Sequence, residues 1–328
     1  MDLTPRVGPL ADPATYSAEI GHRTITPADL IAFGGSTGDY ARMHFDHGLA
    51  AGEPGSPGTI APGLLSACWA LGALAWSAPE CLAVGNPDAS IAGFTIRFER
   101  SMRVGDRFSL RHRPAAFAAT PGLAPAAQRD TEFEVLNQRG ERSCRGAVSV
   151  RTGDETAPPL AMARPSARPD AGPRPLFADD LLEFGPRGES HGRTVTEADI
   201  VGFTNLTAER NPLYLNRVFA GQGRFGDRIA PPSWTFCLAF GDFLHALLAV
   251  ELPSTGLAGH LGDSFQCYAP VRIGDTIRTR HRPVRSTPSR GRPDMSVVHF
   301  AVQLLNQRDE VVQDGEIAMW IPARAVRP

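Results

Sequence analysis

Two stretches of the chain are apolar on every side at helical spacing. Residues 62–76 read Pro-Gly-Leu-Leu-Ser-Ala-Cys-Trp-Ala-Leu-Gly-Ala-Leu-Ala-Trp, and residues 232–244 read Pro-Ser-Trp-Thr-Phe-Cys-Leu-Ala-Phe-Gly-Asp-Phe-Leu. A helix without a polar face has to be buried all round, so the pattern predicts two internal helices wrapped by other elements. Pro62 and Pro231 near their starts suit the tolerance of a first turn for proline. Elsewhere the period changes to two. Phe94, Ile96 and Phe98 alternate with Thr95, Arg97 and Glu99, the mark of a half-buried strand. Strands are predicted over 92–99, 108–113, 132–137 and 144–151, and again over 264–270, 276–282, 297–306 and 315–321. Short strand-like stretches at 21–26 and 191–196 each lead into a helix, with Thr26 and Asp29, or Thr196 and Asp199, placed as N-cap and acidic partner. Consecutive strands joined by short turns imply antiparallel pairing, so the class is α+β.

The elements come in the same order twice because the chain is an internal duplication. Thr24-Ile25-Thr26 recurs as Thr194-Val195-Thr196, 170 residues on; Val104-Gly105-Asp106 and Leu136-Asn137-Gln138-Arg139 recur 169 residues on, as Ile273-Gly274-Asp275 and Leu305-Asn306-Gln307-Arg308. A period this long marks a duplicated domain; the repeats of a solenoid run to about 20–50 residues. Residues 1–152 and 183–328 are the expected domains. Residues 153–182, rich in proline and poor in periodicity, are a semi-rigid linker.

Composition removes several function classes. A formal net charge of -2 gives no reason to expect nucleic acid or an anionic membrane as partner. None of the 33 basic residues is a lysine, which excludes a Schiff-base mechanism. The five cysteines (Cys68, Cys81, Cys144, Cys237, Cys267) are scattered, without zinc-ligand spacing, as expected of reduced thiols in a cytoplasm. Cys68 and Cys237 fall at equivalent points of the two apolar helices and read as core filling. No secretory leader is expected at the N-terminus, nor any run of about 18 apolar residues that would cross a membrane.

The copies differ where chemistry would be done. The first passes through Gly38-Asp39-Tyr40-Ala41-Arg42-Met43-His44, and the second through Ala208-Glu209-Arg210-Asn211-Pro212-Leu213-Tyr214. Asp39 and His44 are two proton-transfer groups on one glycine-rich polar loop, and histidine is the side chain best matched to neutral-pH acid–base work. Such a pair is common by chance, but two further differences accompany it. The duplicate has lost acid and base together. The helix downstream opens on Gly63, whose backbone N–H can face an oxyanion at a helix N-terminus, whereas the matching Pro232 has none to donate.

Phe33-x2-Ser36-Thr37-Gly38-Asp39-x4-His44-x-Asp46, followed by Ala61-Pro62-Gly63-Leu64-Leu65-Ser66-Ala67, resembles the MaoC-like, (R)-specific enoyl-CoA hydratase/dehydratase family, and the resemblance spans both halves. It implies a tandem (double) hotdog, each half an antiparallel sheet wrapped around a long helix. It further implies that Asp39 and His44 hold the water added to or lost from C3 of an enoyl thioester, and that the Gly63 amide binds the thioester oxygen. Ser66 resembles a serine that supports the pair by hydrogen bonding, with a satisfied helix serine as the alternative. The family's Asn-Pro between acid and base is replaced by Ala41-Arg42, so Arg42 either meets an anionic substrate group or is a solvated surface arginine. Trp234 and Phe236 of the degenerate half either line the acyl tunnel or pack in the core.

The expected function is a lyase that reversibly hydrates a 2-enoyl thioester, or dehydrates a 3-hydroxyacyl thioester, of coenzyme A or acyl carrier protein, without metal or redox cofactor. A homo-oligomer of double-hotdog units is possible on the same reading. The alternatives are a hotdog thioesterase and a non-catalytic acyl-binding subunit.

Overall fold

The protein is described here by a computed structural model. It covers residues 15–48, 59–115, 128–153, 158–172, 174–253 and 259–324. Parts of the expected linker and the first residues of the expected N-terminal domain lie outside these.

The first half runs β1 (Ile20–Thr24), α1 (Pro27–Thr37), α2 (Arg42–Phe45), α3 (Gly63–Ser77), β2 (Ser90–Phe98), β3 (Arg107–Pro114), β4 (Gln128–Leu136) and β5 (Arg142–Arg151). The second begins with α4 (Leu181–Phe184) and β6 (Gly188–Glu189). It then repeats the first as β7 (Arg193–Thr194), α5 (Glu197–Thr207), α6 (Pro212–Leu215), α7 (Arg217–Ala220), α8 (Pro232–Leu248), β8 (Gly259–Cys267), β9 (Thr276–Pro288), β10 (Met295–Leu305) and β11 (Val311–Pro322). Both expected caps form: Thr26 and Thr196 each complete a capping box with Asp29 and Asp199. Pro62 and Pro231 stand at the N-cap of the long helices, one position before the first helical residue. Several strand limits move: β9 continues from 282 to Pro288, β11 starts at Val311 rather than 315, and β8 is shifted from 264–270 to Gly259–Cys267.

All pairings are antiparallel, and they join into one sheet of order β1-β3-β4-β5-β2-β8-β11-β10-β9-β6, with β7 also on β9. The order is a palindrome about the β2–β8 pair, where Phe94 lies opposite Phe265 and Ile96 opposite Asp263. The two halves therefore share a sheet as well as a chain. The structure is the tandem hotdog that the sequence implied. Helices α3 and α8 lie on one face of this sheet and are buried along nearly their whole length. They meet at Cys68 and Cys237, whose sulfurs are 3.4 Å apart. The segment after β5 crosses the second half: Leu160 donates its N–H to Asp314, Gln303 donates to the Leu160 carbonyl, and Leu176, Ala178 and Leu181 are buried. Among the described residues no helix is long and apolar enough to cross a membrane.

One close approach between the halves is made twice. A Cβ on Gly72 of α3 would collide with the carbonyl of Thr207 at the end of α5, and one on the equivalent Gly241 of α8 would collide with the carbonyl of Thr37 at the end of α1. Tryptophans brace the same two helix ends. Trp234 donates its indole N–H to Ser36 O at 3.1 Å, and Trp69 donates to Leu206 O at 3.2 Å. These carbonyls belong to last turns that have no helical donor of their own, so the indoles satisfy buried acceptors. Backbone cannot yield as a side-chain tip can. Gly241→Val is expected to destabilise the protein by about 1–3 kcal/mol or more, read as a shifted midpoint in urea melts, with Gly72→Val behaving alike.

Candidate functional site

Helix α1 stops because Gly38 turns left-handed at φ 80°, returning its N–H to Gly34 O at 2.8 Å. The chain then drops inward. Asp39 is buried, and its Oδ1 accepts the Ala41 N–H at 3.4 Å. One turn of helix later, α2 brings His44 alongside it. The His44 Nδ1 lies 2.8 Å from the Ile60 carbonyl, a pure acceptor, which fixes the proton on Nδ1. Nε2 faces Asp39 Oδ1 at 3.8 Å. That is too long for a direct hydrogen bond, yet one oxygen can sit about 2.8 Å from both atoms.

Asp39, His44, Gly63 and Ser66 share the wall of one cavity of about 340 Å³, a volume within the range of small-molecule sites. The second half closes its other side with Phe240, Leu244, His260, Met319 and Trp320. Gly63 is the first residue of α3, so its N–H precedes the helical ladder. A Cβ there would come within 2.7 Å of the Phe98 ring, so glycine allows the ring and the helix start to close on each other. The Ser66 hydroxyl points at Met102 Sδ, 3.6 Å away, and not at Asp39 or His44. The arrangement places an imidazole, a carboxylate and the first residue of a long helix around a largely apolar chamber.

The structure does not bring the three expected substrate-contact residues to this cavity. Arg42 is 72% exposed at its side chain and pairs with Asp46 at 2.6 Å, one helical turn on. Trp234 is fully buried with its only donor committed to Ser36 O. Phe236 is also buried, packed between Phe94 and Phe265 at centroid distances of 4.6 and 3.9 Å. Phe236 and Phe240 lie one turn apart on the same face of α8, and it is the later turns, with Phe240 and Leu244, that reach the cavity.

The second half has kept a cavity of about 270 Å³, but Glu209 and Tyr214 are not on its wall, which includes Pro232, Tyr268, Arg151 and Arg272. Glu209 is sealed in protein. Its Oε2 accepts the Ser233 hydroxyl at 2.6 Å, the Tyr214 hydroxyl is turned toward the same carboxyl, and Oε1 has no hydrogen-bond partner among the described residues. Desolvation pushes its pKa up to about 7, against the opposing Ser233 hydroxyl.

One pair escaped the sequence reading. His260 lies on the cavity wall with Nε2 2.8 Å from Oδ1 of the buried Asp263. Nothing in the linear spacing marks them. The signal was in the repeat: the equivalent positions of β2 hold Ile91 and Phe94, so polar residues have replaced apolar ones at inward-facing strand positions.

Residues 14–113 match a MaoC like domain, and residues 185–315 match a FAS1-like, dehydratase domain region. A 3-hydroxybutyryl-CoA dehydratase of Methylorubrum extorquens is 32% identical over 151 residues, 46% of this chain and 87% of that relative. An (R)-specific enoyl-CoA hydratase of Rhodospirillum rubrum is 31% identical over 155 residues, 45% of this chain and 99% of that relative. Among solved structures, a putative MaoC domain protein dehydratase from Chloroflexus aurantiacus superposes with TM-score 0.70 at 17% identity, covering 94% of this chain and 95% of that one. A Mycobacterium tuberculosis protein described as a double hotdog superposes with TM-score 0.65 at 17% identity, covering 91% and 93%.

The raised Glu209 has a consequence for stability. Between its ordinary value of 4.5 and about 7 the folded protein keeps a proton that the unfolded chain has released. Its contribution is therefore full below pH 4.5 and is lost as pH rises through 7. Glu209→Gln is expected to remove from denaturant melts a decline on the order of 3 kcal/mol across that window.

Proposed function

Given that the chain belongs to the MaoC-like hydratase/dehydratase family, and is thereby a hydro-lyase, we propose that Asp39 and His44 of its first half form the reacting pair and act on a 2-enoyl or 3-hydroxyacyl thioester of coenzyme A. The observation that carries this reading is the gap between Asp39 Oδ1 and His44 Nε2, 3.8 Å across, in a cavity that Gly63, the first residue of α3, also lines.

In the hydration direction, a water bridging Asp39 and His44 is held over C3. His44 Nε2 takes one of its protons as the oxygen bonds to C3, and the Nδ1 bond to Ile60 O keeps the ring aimed. Electron density moves through C2 to the thioester oxygen, where the Gly63 N–H and the start of α3 stabilise the developing enolate. A proton returned to C2 by the same pair completes the addition; hydroxyl has gone to C3 and hydrogen to C2. Dehydration is the same path reversed. Arg42 and Ser66 take no direct part, because the first pairs with Asp46 and the second with a methionine sulfur. The second domain, 183–328, joined by the linker 153–182, closes the chamber and braces the loop of the first domain, 1–152. The CoA relatives support coenzyme A as the carrier.

Asp39→Asn and His44→Ala are each expected to lower kcat/KM for hydration of crotonyl-CoA by about 10²–10⁴-fold, followed by loss of enoyl absorbance. Glu209→Gln and Tyr214→Phe should stay within an order of magnitude of the parent enzyme. Equal losses from the second pair would place the chemistry in the wrong half, and release of free CoA in place of hydration would replace the lyase with a thioesterase.

A further inference from the structure

The reaction assigned above uses Asp39, His44 and the Gly63 amide, and leaves His260 without a task. This side chain comes from the half that has lost its own acid and base. Its ring lies between Phe240, stacked at 4.5 Å and 21°, and Phe98, at 4.7 Å. Its side chain keeps 17% exposure, while that of Asp263 has none. Holding an imidazole beside a buried carboxylate costs stability, because each polar atom must find a partner away from water. Asp263 Oδ2 has none among the described residues.

We propose that His260, held by Asp263, is a specificity-determining residue that donates a hydrogen bond to an acceptor oxygen on the acyl group of the substrate. The proposal rests on the reading of the cavity as an acyl-thioester site.

For an uncharged pair, the proton count gives the sense of the bond. A buried carboxylate with one imidazole neighbour is most stable when the pair as a whole is uncharged. The uncharged pair holds two protons, one between Nε2 and Oδ1 and one on Nδ1, whichever of the two partners formally carries the shared proton. The edge of the ring left for a ligand is thus an N–H donor. The two flanking phenyl rings favour positive character on the imidazole, which strengthens that donor. An alkyl chain placed against Nδ1 would strip water from a donor and offer nothing in return, whereas a carboxylate or ketone oxygen would replace the water. The first half offers no equivalent, since Ile91 and Phe94 stand there. The donor therefore belongs to this one cavity and not to the duplicated fold.

The test reads binding, so that it does not depend on turnover. Pentanoyl-CoA, 4-oxopentanoyl-CoA and succinyl-CoA are saturated and cannot be hydrated; they present a methyl-terminated chain, a ketone and a carboxylate. Titration calorimetry on the whole protein is expected to show one or both oxygenated thioesters binding about 10-fold or more tightly than pentanoyl-CoA. A ketone preference and a carboxylate preference separate a neutral from an anionic acceptor. In His260→Phe the preference should collapse toward unity. Asp263→Ala, at a positioning residue, should lower it in the same direction, and the double variant should lose no more than His260→Phe alone. Circular dichroism and retained affinity for pentanoyl-CoA report that each variant is folded. Absence of preference in the parent protein, or a preference that survives His260→Phe, overturns the proposal. Hydration by Asp39→Asn undiminished would instead overturn the reading of the reacting pair, and the two failures are read from different measurements.

Discussion

The site depends on how the two halves lock at the ends of α1 and α5. The segment that carries Asp39 and His44 begins at Thr37, and Thr37 is where α8 of the other half comes so close that only glycine fits. Trp234 holds the preceding carbonyl, Ser36 O, from the same helix. The last turn of α1 is thereby fixed by the second half, and Gly38, Asp39 and the short helix bearing His44 hang from it. A gap of 3.8 Å between two side chains on a loop has to be enforced from outside the loop, because a short polar segment does not hold that tolerance alone. The degenerate half is a structural part of the candidate site through this contact.

Three buried carboxylates near the central helices show how environment assigns roles to one functional group. Asp39 faces the cavity beside a histidine whose proton is anchored elsewhere. Glu209 is walled in with Ser233 and Tyr214, and burial drives it toward the neutral acid. Asp263 is just as buried, and burial pushes it up as well, but His260 opposes the shift. Only the first and third communicate with the chamber, the third through its imidazole. Position in the duplicated fold explains where each carboxyl sits; the neighbouring hydrogen-bond partner explains what it can do.

Much of the architecture was legible in the chain. All-round apolarity at 62–76 and 232–244 located the two central helices, and the period-two runs located the strands, since both follow from burial geometry that is local in sequence. The repeat, together with the differing residues at Asp39 and Glu209, singled out the loop. Tertiary detail was not legible. Tunnel lining and core packing stayed open for Trp234 and Phe236 because an apolar helix looks the same on every face, and only the crossing of α3 with α8 decides which turn meets the cavity. Arg42 was drawn away by Asp46, a surface pairing that competes with any ligand. The His260–Asp263 pair was not legible because residues three apart on a strand ordinarily face opposite sides, and a register shift in β8 between His260 and Gly262 brings them together. The cavity wall, with Phe98 on one strand and His260 on the other, crosses the β2–β8 joint, which the sequence pattern alone does not specify.

That joint also alters what the fold can do over time. In an assembly of two identical chains related by a twofold axis, a substitution is made in both copies at once, so each change has to be tolerated at two equivalent places. A covalently joined pair carries each residue once. The palindromic strand order keeps the geometry of the symmetric assembly while releasing the sequence from it. Histidine and aspartate can enter β8 while isoleucine and phenylalanine remain in β2, and proline can silence one helix start while glycine stays at the other. The stoichiometry follows from the same release, with one chamber of this kind per two folded units, its opposite walls free to diverge independently.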